Sequence, residues 1–168
     1  SEARCKEMSQ TLYNCYFDQI KFNSRTPEVD FNNPVIVYSN SEERPNLFPE
    51  SFRSAMTKAC KGYRFLDLNT VVQIRRKFIT EFYATHSDFA NVLFDYHKKL
   101  ISAGHFEAYN YWLFAYGNNE QANRWVKQNQ TKITHINDTI DMLNRYNNGV
   151  SGLVFNNVYS SISVINTG

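Results

Sequence analysis

Residues 105–116 read His-Phe-Glu-Ala-Tyr-Asn-Tyr-Trp-Leu-Phe-Ala-Tyr and are apolar on nearly every side of a helical wheel. A helix without a polar face has to be sandwiched between neighbours. The stretch therefore predicts a central helix in a domain built helix on helix. Gly117-Asn118-Asn119 follows it, a sequence suited to ending one helix and capping the next.

The segments around this centre carry the one-sided three-and-four spacing of surface helices. A first helix is expected from Glu2 to Lys21, with Met8, Leu12, Cys15, Tyr16 and Ile20 on one face. A second follows Pro49, carries Phe52, Ala55, Met56, Ala59 and Cys60 inward, and stops at Gly62. A third begins at Asp67 or Asn69, either of which can cap, and turns Leu68, Val71, Val72, Phe78, Ile79, Phe82 and Tyr83 to the core. A fourth runs from Ser87 or Asp88 to Gly104 on Phe89, Val92, Leu93, Tyr96 and Leu100. The sixth, after the central fifth, is expected to be the longest, from Asn119 to Tyr146. The fold expected is all-α: about six helices packed as antiparallel hairpins, in a single domain over 1–168.

Two regions break the pattern. All four prolines, Pro27, Pro34, Pro45 and Pro49, fall in 23–49. A helix cannot run through them, so this region reads as a crossover loop, with Pro34 to Tyr38 extended against the core. The tail at 150–168 places branched and aromatic residues around Asn156-Asn157, which predicts a small β-hairpin.

Gly104 joins the fourth and fifth helices. Phe106 and Ala108 then seat the returning helix, and Ala115, seven residues after Ala108, faces the same neighbour with Trp112 between them. Over about 89–116 this resembles the helical hairpin of the tetratricopeptide-repeat family, with Gly104, Phe106, Ala108, Trp112 and Ala115 in the motif positions. The spacing from Gly104 to Ala108 is one residue shorter than that family's, and His97 stands near a position it fills with a small residue. The resemblance implies a non-enzymatic module that binds a protein or peptide partner on one face. The polar face of the fourth helix, Asn91, Asp95, Lys98 and Lys99, is the expected docking surface. In its wealth of Asn and aromatics the chain is also similar to exported bacterial proteins, which implies a periplasmic or extracellular location after signal-peptide removal and an accessory role in a larger assembly.

Composition narrows the other classes. A formal net charge of +2 gives no electrostatic drive toward nucleic acid or an anionic membrane. No run approaches the roughly 18 apolar residues of a membrane span. Arg75-Arg76-Lys77, with Lys98 and Lys99, reads as a solvated helix face. Cys5, Cys15 and Cys60 are an odd set without metal or redox spacing, and Cys60 falls on an apolar stripe, as a core thiol would. The Asn129-Gln130-Thr131 and Asn137-Asp138-Thr139 sequons lie within helical pattern and read as chance matches. No catalytic nucleophile motif, phosphate loop or zinc signature occurs, so no cofactor is implied. The one alternative with chemistry is a metal-dependent enzyme using Asp95, His97, His105 and Glu107 around the turn at Gly104, where carboxylates and imidazoles could act as acid, base or ligands.

Overall fold

The computed structural model describes residues 2–23, 26–31, 48–85 and 92–136. In chain order these form helix α1 (Glu2–Gln19), strands β1 (Ile20–Lys21) and β2 (Glu28–Val29), and helices α2 (Phe48–Cys60), α3 (Leu68–Thr85), α4 (Val92–Ser102), α5 (Phe106–Ala115) and α6 (Glu120–Gln128). A further helical stretch covers 130–136. The fold is all-α with one small antiparallel sheet among the described residues. None of the described helices is long and apolar enough to cross a membrane.

Helix α5 occupies the position that its sequence demands, packing against α1, α3, α4 and α6. Its ends are held by different means. At the start, Gly104 adopts φ +74°, with the His105 amide on Leu100 O at 2.9 Å and the Gly104 amide on Ile101 O at 3.1 Å. That pair of bonds satisfies two of the last carbonyls of α4 and reverses the chain. At the far end α1 supplies the cap. Ser9 Oγ donates to Leu113 O at 2.7 Å, and Gln10 Nε2 donates to Gly117 O at 3.1 Å. Asn119 then accepts from the Ala122 amide at 3.0 Å and starts α6. For α3 the choice between two caps falls to Asp67, whose Oδ1 accepts from the Thr70 amide at 2.7 Å. Pro49 lies in the first turn of α2, where its missing donor costs nothing.

The core divides into three apolar clusters. The first joins Ile20 and Val29 to Ala55, Met56, Ala59 and Cys60 of α2, the C-terminal half of α3, and Phe94. The second sets Leu68, Val71 and Val72 against Tyr111, Phe114 and Ala122. The third gathers Leu100, Phe106, Ala108, Tyr109, Ile133 and Ile136.

Several sequence expectations need correcting. The first helix ends at Gln19, not Lys21, because Ile20 pairs with Val29 and Lys21 with Glu28 in an antiparallel ladder. The Asp30 amide takes Gln19 O at 2.8 Å, so a residue from beyond the turn closes the helix. The sixth helix is interrupted at Asn129. Its side-chain Nδ2 donates to Trp125 O at 2.9 Å, and its own amide moves to Val126 O at 3.3 Å. The side chain thus competes for the carbonyl that a continuous helix would have used. The expected β element at 150–168, the strand-like run at 34–38, the start of the fourth helix and the helical pattern beyond 136 lie outside the described residues.

Candidate functional site

The expected docking face on α4 is partly ordered by α3. Asp95, Lys98 and Lys99 are all exposed, while Asn91 lies outside the described residues. The Tyr83 phenol donates to Asp95 Oδ1, and Lys98 Nζ sits 4.5 Å from the Tyr83 ring centroid. Partial burial raises the Tyr83 pKa, and the hydrogen bond and charge of Asp95 raise it further, so the phenol keeps its proton and remains the donor. Three side chains from two helices therefore hold one another in place. Val92, one turn before Asp95, is 56% exposed and adds an apolar edge.

The residues of the alternative site are not gathered. Asp95 and His97 are two apart on one helix, roughly 200° around its axis. Asp95 meets Tyr83, whereas His97 is 5% exposed, edge-on to Phe106 at 5.5 Å and tilted against Tyr109 at 5.8 Å. Burial, and then the charge of Arg75, hold the His97 pKa well below the ordinary imidazole value. His105 is half-buried at the start of α5 and makes no side-chain cap. Glu107 pairs instead with Lys132, in the helical stretch after α6, at 3.6 Å. Among the described residues, no three His, Cys, Asp or Glu side chains are placed to hold a metal ion. Cys60 is fully buried, and burial pushes its thiol up to about 12, which suits a packing role and not a nucleophile.

A different set of residues stands out in the interior. Arg75 Nη1, His97 Nε2 and Asn110 Oδ1 are buried with no hydrogen-bond partner among the described residues. Arg75 is a further correction to the sequence reading, which placed it on a solvated face. It lies four residues after Val71 and three before Phe78, within the buried stripe of α3, and is 6% exposed. Its neighbours Arg76 and Lys77 are exposed as expected. The guanidinium sits 5.7 Å from the Tyr16 ring centroid and 5.6 Å from that of Phe114. Contacts of this kind return about 0.5–2 kcal/mol. Removing a guanidinium from water costs several kcal/mol, so the rings offset only part of that penalty.

Helix α5 carries one of the three groups and packs against the other two. Phe106, Asn110 and Phe114 lie on successive turns of one face. His97 packs at Phe106, Arg75 packs at Phe114, and Asn110 stands between them, 0% exposed. Its orientation is fixed, because Nδ2 donates to Phe106 O at 2.7 Å and a flipped amide would set oxygen against oxygen. Along the chain, His97 falls between Phe94 and Leu100 and Asn110 between Tyr109 and Tyr111, each pair drawn from two different clusters, whereas Arg75 is flanked by Ile74 and Phe78 of the first. No protein-family model, curated protein or solved structure matches the chain.

Proposed function

We propose that the protein is a non-enzymatic interaction module of helical-hairpin type that docks an acidic peptide segment on the α3–α4 face. The observation that carries this reading is the Tyr83–Asp95–Lys98 arrangement. Exposed side chains already fixed in place lose less entropy on binding, and a preordered face is favoured as a docking surface for that reason. The Asp95 carboxylate is engaged by the phenol, so the charge offered outward comes from Lys98 and Lys99. An acidic partner complements that sign, and Val92 supplies an apolar contact beside it.

The test is fluorescence polarisation with labelled peptides graded in Asp and Glu content. Affinity should rise with acidity and fall with added salt. The Lys98→Glu/Lys99→Glu variant should lose binding and keep its melting temperature. Acidic and neutral peptides binding alike, or unchanged binding by the charge-reversed variant, would overturn the assignment.

A further inference from the structure

The net charge of +2 conceals an uneven distribution. Seven of the 18 Lys and Arg residues, but one of the 16 acids, lie between Glu50 and Glu81. That acid, Asp67, accepts the Thr70 amide at 2.7 Å as the cap of α3. Four of the bases sit where α2 turns into α3. Lys77 Nζ donates to Lys61 O at 3.4 Å and lies 4.8 Å from the Tyr63 ring centroid, which holds the turn to the middle of α3. The Lys61 amide reaches back to Lys58 O at 3.1 Å, and Arg64 follows Tyr63 directly. Lys58, Lys61, Arg64 and Lys77 are all exposed. Among them stands Phe65, 66% exposed, more than any other large apolar side chain among the described residues. Its neighbour Leu66 packs against two of the core clusters, so Phe65 cannot fold back without drawing Leu66 out of the core.

We propose that the α2–α3 turn is a peripheral contact for an anionic bilayer. Phe65 enters the boundary between headgroups and acyl chains, and Lys58, Lys61, Arg64 and Lys77 meet the lipid phosphates and carboxylates. The contact is separate from the peptide face on α3–α4 and does not rest on it. A charged surface meets one end of a protein at a time. The charge within a Debye length, about 8 Å at physiological salt, therefore counts for more than the sum over the chain. Long cationic side chains around an apolar tip suit a bilayer, because their stems lie along the acyl boundary while their heads stay at the phosphates. Single-stranded nucleic acid asks instead for a row of ring faces along a groove. Here Lys77 covers Tyr63, and Phe65 is the one ring the turn leaves exposed. A purely acidic peptide meets the cations but leaves Phe65 in water.

Flotation of the intact chain with vesicles of phosphatidylcholine, alone or enriched in phosphatidylserine, tests the contact. Binding should require phosphatidylserine. It should fall at least about tenfold between about 0.1 M and about 1 M salt, where the Debye length shrinks from about 10 Å to about 3 Å. Lys61→Glu/Arg64→Glu should weaken it about 25-fold or more, at about fivefold for each cation near the surface. Phe65→Ala should weaken it about tenfold, while Val92→Ala, at another exposed apolar position, should leave it unchanged. Emission from Phe65→Trp should shift to the blue on binding and be quenched by brominated lipid, beyond any change in the unsubstituted chain. The proposal is overturned by equal binding to phosphatidylcholine, by no binding to the anionic vesicles, or by a bound Phe65→Trp variant that stays unquenched. A short single-stranded oligonucleotide that binds more tightly than the anionic vesicles also overturns it.

Discussion

The contact between α1 and the far end of α5 can be weighed one atom at a time. Ser9 is 2% exposed, and its Oγ is 2.7 Å from Leu113 O. The Gly117 amide is engaged with Phe114 O at 3.1 Å, so it is not spent on the Leu113 carbonyl that Ser9 caps. Ser9→Ala leaves that carbonyl without its hydroxyl partner, at a cost of about 2 kcal/mol. Gly117 marks the same contact from the other side. A methyl group there would lie 2.8 Å from Ser9 Oγ and 3.2 Å from the Gln10 backbone nitrogen. The hydroxyl cannot swing away without giving up its bond, and the backbone cannot swing at all, so Gly117→Ala should cost about 2 kcal/mol by overpacking.

The two substitutions share an atom, and their effects should therefore not add. With Ser9 already alanine the closest clash is gone, so the double variant should cost about 3 kcal/mol, a coupling of about 1 kcal/mol. Urea unfolding followed by the fluorescence of Trp112 and Trp125 measures each corner of the cycle. Gly104→Ala is the control. Nothing lies within 4 Å of its added methyl, but φ is +74°, so it should cost about 1–2 kcal/mol through backbone strain alone and be indifferent to Ser9. Additivity of Ser9→Ala and Gly117→Ala within about 0.3 kcal/mol would refute the placement of α1 on α5.

Four further outcomes follow from the same packing. Cys60, with its thiol raised to about 12 by burial, should resist a thiol reagent at pH 8 in the folded chain and react once urea is added, as read by absorbance. Because its folded-state pKa lies above the ordinary value near 9, the stability this group contributes is complete below about pH 9 and declines as pH rises toward 12, which a pH series of denaturation midpoints would show. For His97 the sign is opposite. Its folded-state pKa is lowered, so the unfolded chain binds more protons below the ordinary imidazole range; stability should fall as pH drops through about 6.5, and His97→Phe should flatten that part of the profile. Finally, Asp95→Ala/Lys98→Ala should weaken acidic-peptide binding while shifting the unfolding free energy by no more than about 1 kcal/mol, since both groups are exposed.

What could be read from the chain and what could not separate along a physical line. The apolar face of α3 and the all-round apolarity of 106–116 are periodic, and periodicity is preserved when a helix is packed. Gly62, Gly104 and the Gly117–Asn119 step are local chain reversals, decided by residues beside them. The end of α1 and the cap on α5 depend on partners elsewhere in the chain, whereas the break at Asn129 is local, made by its own side chain on Trp125 O. Gln19 O is closed by Asp30 from across the proline-containing turn, and Leu113 O by Ser9 from 104 residues away; neither pairing follows from periodicity. The proposed docking face is partly local and partly not. The exposure of Asp95, Lys98 and Lys99 was legible from spacing on α4, but the Tyr83 side chain that orders two of them comes from another helix.

Arg75 shows where residue identity and position disagree. Its charge argues for solvent, and the triplet Arg75-Arg76-Lys77 reads naturally as one wet patch. Its register argues the reverse: Val71, Arg75, Phe78 and Phe82 follow the three-and-four steps of a single face, and only Arg76 and Lys77 fall off it. Asn110 has the same standing between Phe106 and Phe114. A polar residue on an apolar stripe is destabilising unless something meets it, and folding on the rest of the stripe carries it inward regardless. His97, Arg75 and Asn110 each interrupt a stripe on a different helix, and each is carried inward by the apolar residues on either side of it: Phe94 and Leu100, Ile74 and Phe78, Phe106 and Phe114.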